Sequence, residues 1–421
     1  MVDGAIATVA LPTLATALDI SESKSVLLVT IYQFLLAIGL IPMSALGDGF
    51  GLRRIFRAGL LLFLASTLLC LVVDSFGQLL ALRAAQAAGA ALVLSVGSAQ
   101  IRSIYPIRML GRGLALNSLT VSVFTTLSPV MGVAILAVVR WQVVFASAAP
   151  LALIALAASF ALPPSHGSAR RFDWRSAVLY ALAMTLLFAA FDGSLWNIEP
   201  MGRIALLVAA GALGWLVVYR ARRTERPLFP VDLLALPIVA LSACGALFAF
   251  ASSMAVLVML PFRLGQLHGM TIAEIGASLA IWPLTTMIAA PVVGMLSDKL
   301  PAWALGAGGL AGAAVALVLL GSAPLDSGVF DIGWRLALCG ASYAAYTASN
   351  MRLVLASTPR DRAAPVGGMI STTRILGQSI GAIIAAAILA NGWVALPQGL
   401  FAPMAFALIG MIISFTRRRS V

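Results

Sequence analysis

Long apolar stretches recur along this chain from one end to the other, and short polar turns separate them. A helix needs about 20 mostly apolar residues to cross the hydrocarbon core of a bilayer. Hydropathy and the positions of helix-breaking residues therefore predict fourteen membrane-spanning helices, with no soluble domain between them. The predicted spans are 1–18, 26–46, 57–74, 78–99, 112–137, 142–162, 176–192, 202–220, 237–260, 271–296, 303–322, 333–356, 365–390 and 399–416.

Composition indicates the same fold class, an all-α polytopic membrane protein. Hydrophobic residues make up 61% of the chain and charged residues 10%, whereas soluble domains carry about 25% charged residues. A net charge of +12 can signal nucleic-acid binding, but here the basic residues lie in short loops, so we expect no nucleic-acid partner. The three cysteines lie in apolar segments and the two histidines in loops, so we expect neither a disulfide nor a metal site.

The distribution of basic residues predicts the orientation of the chain. With fourteen spans, 20 of the 27 Lys and Arg residues fall on the side that holds both termini, five fall on the other side, and Arg83 and Arg374 lie within spans. Cytoplasmic loops of membrane proteins carry the excess of Lys and Arg. The sequence therefore predicts a multi-pass protein of the bacterial inner membrane with both termini in the cytoplasm.

A short internal repeat indicates two related halves. Ser44 to Arg54 reads S-A-L-G-D-G-F-G-L-R-R, and Gly294 to Leu300 reads G-M-L-S-D-K-L, so a Leu precedes an Asp by two residues in both. Asp48 and Asp298 are 250 residues apart, after predicted spans 2 and 10. This spacing predicts a six-helix half at 1–162, a two-helix insert at 163–235 and a second half at 236–421. Alternatively, each Asp merely ends a helix at the surface.

Several motifs resemble those of the fourteen-span drug:proton antiporters of the major facilitator superfamily. The first span reads V-D-G-A-I-A-T-V-A-L-P, similar to the family pattern L-D-x-T-I-V-N-V-A-L-P. The loop from Ser44 resembles G-x-L-x-D-R-x-G-R-R, although Gly49 replaces its basic residue. The fourth span carries L-R-A-A-Q-A-A-G, and the thirteenth carries R-I-L-G-Q-S-I-G. In the fifth span only Pro129 and Gly132 remain of G-P-x-x-G-G. The resemblance implies the major facilitator fold in a 6 + 2 + 6 arrangement.

The resemblance assigns proton coupling to Asp3 and Arg83. A charge inside the bilayer is costly and marks a functional hypothesis, and partial desolvation raises the pKa of a carboxyl towards neutrality. Asp3 lies near the beginning of the printed sequence, so it is alternatively a solvated carboxylate. Arg83 alternatively makes a structural hydrogen bond to backbone carbonyls. No resident cofactor is expected, because the proton gradient would supply the energy.

The gating hypothesis concerns the cytoplasmic loops and the fifth span. We expect Asp48 to cap the next helix and to pair with Arg53 and Arg54 when the cytoplasmic side is closed. Asp298 and Lys299 would act in the same way in the other half. Pro129 and Gly132 would bend the fifth span as the halves move, and the glycines in 377–381 and 306–312 would permit close helix packing.

Candidate substrate contacts come from the central spans of each predicted half. Aromatic, sulfur-containing and hydroxyl side chains with little fixed charge suit amphipathic organic molecules, including cations held on aromatic faces. Ordinary helix packing is the alternative for each of them. The candidate residues are Tyr32, Gln33, Gln86, Phe248, Ser252, Met254, Tyr343, Tyr346 and Asn350.

The sequence thus predicts a transporter, expected to be a monomer, that exports amphipathic drugs or toxicants in exchange for protons by alternating access. A close alternative is a dedicated exporter of a metabolite such as a siderophore or secondary product. A membrane-embedded enzyme would need clustered acid–base residues, and the outer carboxylates are scattered. A non-transporting remnant is the third alternative. No P-loop motif is present, which argues against direct use of ATP.

Overall fold

Helices form every regular element in the described part of the computed structural model, which comprises residues 2–106, 110–165, 172–191, 198–223, 234–357, 363–394 and 396–419. The helices are α1 Val2–Ala17, α2 Glu22–Ser25, α3 Leu27–Phe50, α4 Leu52–Leu69, α5 Phe76–Ile104, α6 Leu110–Val138, α7 Gln142–Ala146, α8 Ala149–Ala158, α9 Trp174–Phe191, α10 Pro200–Arg223, α11 Pro237–His268, α12 Ile272–Lys299, α13 Ala302–Gly321, α14 Val329–Ala356, α15 Ala363–Ala390 and α16 Phe401–Thr416.

The prediction of an all-helical polytopic fold is confirmed. Helical structure lies over each of the fourteen predicted segments, with α7 and α8 sharing the sixth. Ten helical segments in the described ranges are long and apolar enough to cross a membrane, and three more are apolar but shorter. The number of fourteen spans stays a prediction, because length and composition alone do not establish that a helix crosses the membrane.

One compact unit comprises residues 27–121 and 140–231. In it α4 and α5 approach closely, because a Cβ on Gly59 would lie 2.8 Å from the carbonyl oxygen of Gly89. Helix α9 packs on α3, where the rings of Phe34 and Phe188 stack at 4.1 Å and the Tyr180 hydroxyl donates to the Ala37 carbonyl oxygen at 3.2 Å. Helices α9 and α10, which form the predicted insert, pack on each other.

The other compact unit comprises residues 1–26, 122–139 and 232–421. Helix α11 packs on α15, and the expected close approach at the glycines of α15 is confirmed. A Cβ on Gly377 would lie 2.5 Å from the Leu247 carbonyl oxygen, and one on Gly381 would collide with the Ala251 carbonyl oxygen. A Cβ on Gly309 of α13 would likewise lie 2.7 Å from the carbonyl oxygen of Ser342. Small residues therefore set the helix spacing, as is usual where lipid offers no hydrophobic driving force.

Two glycines extend the internal repeat beyond the aspartates. Gly59 and Gly309 are 250 residues apart, the same separation as Asp48 and Asp298. Each glycine lies against the backbone of the following long helix in its own unit. The matched packing supports the repeat. The halves predicted from it do not coincide with the two compact units, since residues 1–26 and 122–139 pack with the C-terminal residues, and those halves stay a prediction.

Candidate functional site

A buried guanidinium forms the polar centre of the unit that contains α3, α4 and α5. The side chain of Arg83 on α5 is 0% exposed. Its Nε donates to the Leu28 carbonyl oxygen on α3 at 3.3 Å, and its Nη1 donates to Gln86 Oε1 at 2.8 Å. The second bond lies within one helical turn of α5, because residues three apart share a helix face.

Two aromatic rings flank this guanidinium. The Arg83 Cζ lies 4.4 Å from the centre of the Tyr32 ring on α3 and 5.3 Å from the centre of the Phe145 ring on α7. Cations are attracted to aromatic faces, more strongly when both are desolvated. Helix α7 binds the segment that follows α4, since Gln142 Nε2 donates to the Val73 carbonyl oxygen at 3.2 Å. The rings and carbonyl offset part of the cost of burying the charge.

Gln86 connects the guanidinium to α4. Its Nε2 lies 3.1 Å from Thr67 Oγ1 and 3.7 Å from Cys70 Sγ, and all of these side chains are buried. The structure thus brings together Tyr32, Arg83 and Gln86, which the sequence had assigned to two different roles. Sequence reasoning missed Thr67, Cys70 and Phe145, because single hydroxyl, thiol and aromatic residues are commonplace in apolar spans.

Four predicted site side chains lie outside the described residues. They are Asp3, Asp48, Asp298 and Lys299. Their coupling and gating roles stay predictions.

The two arginines of the predicted cytoplasmic gate differ in their surroundings. Arg53 lies at the start of α4, where its amide donates to Ser165 Oγ at 2.8 Å and its Nη2 donates to the Phe160 carbonyl oxygen at 3.1 Å. Arg54 is exposed. The turn before them uses Gly51 with φ of 95°, a conformation that glycine adopts without a Cβ clash. Arg53 therefore binds the segment that follows α8.

Pro129 and Gly132 are buried in α6, which continues through the proline. A Cβ on Gly132 would lie 3.4 Å from Ile6 Cγ2 of α1. The next residue, Val133, occupies the space left by Gly276 near the start of α12. The remaining motif residues thus form a closely packed contact of α6 with α1 and α12 inside one unit.

A second polar group in that unit joins three helices. The Tyr343 hydroxyl on α14 donates to Ser252 Oγ on α11 at 2.6 Å, and Ser252 donates to the Pro403 carbonyl oxygen on α16 at 2.6 Å. The Trp282 ring on α12 stacks on Tyr343 with centres 5.2 Å apart. Phe248 stacks in a similar way on Phe406 at 5.5 Å.

Arg417 lies in the basic segment after the last predicted span, which the loop-charge count assigns to the cytoplasmic side. Its side chain is nevertheless 1% exposed, and its Nη1 donates to Asn350 Oδ1 at 2.6 Å. Asn350 Nδ2 in turn donates to the Ser242 carbonyl oxygen at 3.4 Å, and the Tyr346 ring lies beside the guanidinium at 5.9 Å. Arg417 therefore joins the end of α16 to α14.

Two further arginines, which the charge count includes among the five basic residues on the opposite side, are also buried. Arg263 lies in α11 and donates to the Val394 carbonyl oxygen at 2.7 Å. Arg335 lies in α14 and forms an ion pair of 2.5 Å with Asp331. Hydropathy does not reveal that such arginines are buried, because it scores each charge without its partners.

Most predicted substrate contacts are buried, and their roles in binding substrate stay predictions. Gln33 and Phe248 are half-buried. The buried members are Tyr32, Gln86, Ser252, Met254, Tyr343, Tyr346 and Asn350.

Buried cationic and polar centres in an all-helical polytopic membrane protein are typical of membrane transporters. The family model of the major facilitator superfamily matches residues 1–382. The chain therefore belongs to the major facilitator superfamily, and it is a transporter and not an enzyme. Its relatives are bacterial, which is consistent with an inner-membrane protein.

Three bacterial transport-related proteins resemble this chain over half of its length or more. The chain is 40% identical over 395 residues to the uncharacterized transporter YebQ of Escherichia coli K12, covering 92% of the chain and 86% of YebQ. It is 24% identical over 382 residues to the riboflavin transporter RibZ of Clostridioides difficile, covering 90% and 83%. It is 28% identical over 246 residues to the provisionally named multidrug resistance protein MdtD of Salmonella typhi, covering 58% and 52%.

A solved structure shares the fold. The crystal structure of a bacterial homologue of the human lysosomal transporter Spinster, inward-facing and unoccupied, superposes with a TM-score of 0.68. The alignment covers 100% of this chain and 94% of the other at 17% identity. Identity this low supports the fold and carries no information on the substrate.

Proposed function

We propose that this chain is a proton-coupled exporter of amphipathic organic compounds, with fourteen spans in a 6 + 2 + 6 arrangement and both termini in the cytoplasm. The observation that carries the proposal is the wholly buried Arg83, held between two aromatic rings inside an apolar helix. The name of the relative MdtD supports drug export. A helix over each of the fourteen predicted segments supports the span count.

The physical argument concerns the cost of the buried charge. Charged side chains inside the membrane are rare and mark proton relays and substrate pathways. The guanidinium group of arginine serves in proteins as a permanent cation, so the role of Arg83 would be that of a fixed positive charge, while Asp3 would carry the proton. We further propose that Asp48, Arg53 and Arg54 close the cytoplasmic side, and that a single copy of the chain suffices for transport.

Efflux of ethidium from cells that express the chain tests this function. We expect a protonophore to stop efflux, Asp3→Asn to abolish it, and Arg83→Lys to lower it at least about tenfold, because Lys lacks the planar fork of donors. Arg223→Lys is the matched control, since Arg223 is exposed and lies 4.4 Å over the Tyr219 ring. Efflux that persists with the protonophore would contradict proton coupling.

A second candidate is transport of a planar aromatic metabolite. The relative RibZ, named as a riboflavin transporter, matches 90% of this chain, whereas the match to MdtD covers 58%. Movement of riboflavin, followed by its own fluorescence in the same cells, separates the two candidates. Riboflavin transport without ethidium efflux would favour the metabolite, and ethidium efflux alone would favour drug export.

A further inference from the structure

The Arg83 site has a directional hydrogen-bond chain that ends on α4. Arg83 Nη1 contacts Gln86 Oε1 at 2.8 Å, and Gln86 Nε2 contacts Thr67 Oγ1 at 3.1 Å. Thr67 and Gln86 are 19 residues apart and lie on neighbouring helices. All three side chains are fully buried.

The chemistry of the groups determines which of them donates and which accepts along this series of hydrogen bonds. A guanidinium only donates hydrogen bonds, so the oxygen of the Gln86 amide must face Arg83. The NH₂ of the same amide then faces α4 and needs acceptors there. Thr67 Oγ1 is the stronger acceptor, since the Cys70 sulfur at 3.7 Å accepts only weakly.

We propose that Thr67 is a positioning residue for Arg83, which it orients through Gln86; this inference rests on the proposed role of Arg83 in proton coupling. A buried amide donor without an acceptor is costly. Without the Thr67 hydroxyl, the side-chain amide of Gln86 rotates towards another acceptor, and its oxygen then no longer accepts the hydrogen bond from the guanidinium. Arg83 then loses its orientation over the Tyr32 ring.

Three variants separate positioning from packing. Thr67→Val keeps the shape of the side chain and removes the hydroxyl, whereas Thr67→Ser keeps the hydroxyl. Ser66→Ala is the matched control, because Ser66 is equally buried on α4 but its hydroxyl donates to the Leu62 and Phe63 carbonyl oxygens of its own helix.

The first readout is the pH dependence of ethidium efflux. We expect Thr67→Val to shift the pH midpoint by about half a unit or more, because the proposed role of Arg83 in proton coupling depends on how its guanidinium is oriented. Thr67→Ser and Ser66→Ala should keep the wild-type midpoint. Thr67→Val should add nothing to Gln86→Met, since Thr67 acts through the amide. An unchanged midpoint in Thr67→Val, with only a lower maximal rate, would overturn the proposal.

The second readout does not depend on transport. In detergent-solubilised protein with ¹⁵N-labelled arginine, the Nε–H signal of Arg83 is assigned by its loss in Arg83→Lys. We expect Thr67→Val to shift this signal and to speed its exchange with solvent, and Ser66→Ala to leave both unchanged. If the protonophore does not change wild-type efflux, the proposed function is wrong. The Nε–H signal of Arg83 then tests the positioning role of Thr67 by itself. An Arg83 signal unaltered by Thr67→Val would refute it.

Discussion

The Arg417 guanidinium and the Asn350 side-chain amide form a buried hydrogen bond of 2.6 Å that joins the end of α16 to α14. The space for the guanidinium exists because residue 245 of α11 has no side chain. A Cβ at Gly245 would collide with Arg417 Nη2 and would lie 2.9 Å from the Tyr346 hydroxyl. One glycine therefore allows the cation of another helix to enter the bundle.

Gly245→Ala should destabilise the protein by about 1–3 kcal/mol, because overpacking forces buried neighbours out of their positions. The measurement is thermal unfolding in detergent. Gly211→Ala is the matched control, since Gly211 is exposed in α10 and no atom lies within 4 Å of its Cβ position. Equal melting temperatures for Gly245→Ala and Gly211→Ala would show that the neighbours of residue 245 can accommodate a Cβ without loss of stability.

Gly381→Ala should be more damaging than Gly245→Ala. Its Cβ would meet the Ala251 carbonyl oxygen and would lie 2.9 Å from the Ala255 amide nitrogen, and backbone atoms cannot turn aside as a side chain does. We expect α11 and α15 to separate, with loss of folded protein in size-exclusion chromatography. Gly308→Ala is the control, because nothing lies within 4 Å of its Cβ position. A monodisperse Gly381→Ala protein would contradict this prediction.

Ser252→Ala should cost more stability than Tyr343→Phe. Removing the serine hydroxyl leaves the buried Tyr343 hydroxyl without its acceptor, at about 1–3 kcal/mol. Tyr343→Phe removes one bond but leaves the bond from Ser252 to the Pro403 carbonyl oxygen, at about 0.5–1.5 kcal/mol. The double variant should cost less than the sum of the two, as groups in one network do.

The same unfolding assay measures all three variants. Tyr219→Phe supplies the comparison, because Tyr219 is exposed on α10. Additive effects of Ser252→Ala and Tyr343→Phe would mean that the two hydroxyls do not interact.

The contact between Asp173 and Arg220 predicts a loss of stability in acid. Partial burial disfavours the Asp173 charge, but bonds from the Ser176 hydroxyl at 2.6 Å and amide at 3.1 Å, with Arg220 at 3.4 Å, hold the pKa of that carboxyl below its usual range. Because the pKa of Asp173 is lower in the folded than in the unfolded protein, its charge stabilises the fold at pH values above the unfolded pKa of about 4. This contribution to stability is lost as the pH falls through the folded-state pKa.

Asp173→Asn keeps an N-cap acceptor and removes the charge. We expect it to cost less than about 1 kcal/mol at pH 7, since the pair is partly solvated, and to cost progressively less as the pH falls below about 4. Melting curves at pH 7 and in acid measure the difference. Asp326→Asn, at an exposed loop carboxylate, is the control. A cost for Asp173→Asn that does not change with pH would exclude a role for its charge.

The sequence by itself determined the fold class and the superfamily. The thickness of a bilayer sets the length of each apolar stretch, so the positions of the helices can be predicted from the sequence alone. The order of the motifs on those stretches identified the superfamily, and the 250-residue spacing of Asp48 and Asp298 indicated a repeat that Gly59 and Gly309 share. It also singled out Arg83, because a charge within an apolar stretch stands out without any knowledge of its neighbours.

Only the tertiary structure decided which residues surround these charges. Thr67 and Phe145 come from other helices than Arg83, and which apolar helices become neighbours depends on the fit of their surfaces, which hydropathy does not record. Arg417 makes the same point most clearly. Its sequence neighbours are arginines typical of a solvated tail, yet a missing side chain at Gly245, 172 residues earlier, creates the space that buries it. Such complementarity between distant positions exists only once the helices have packed.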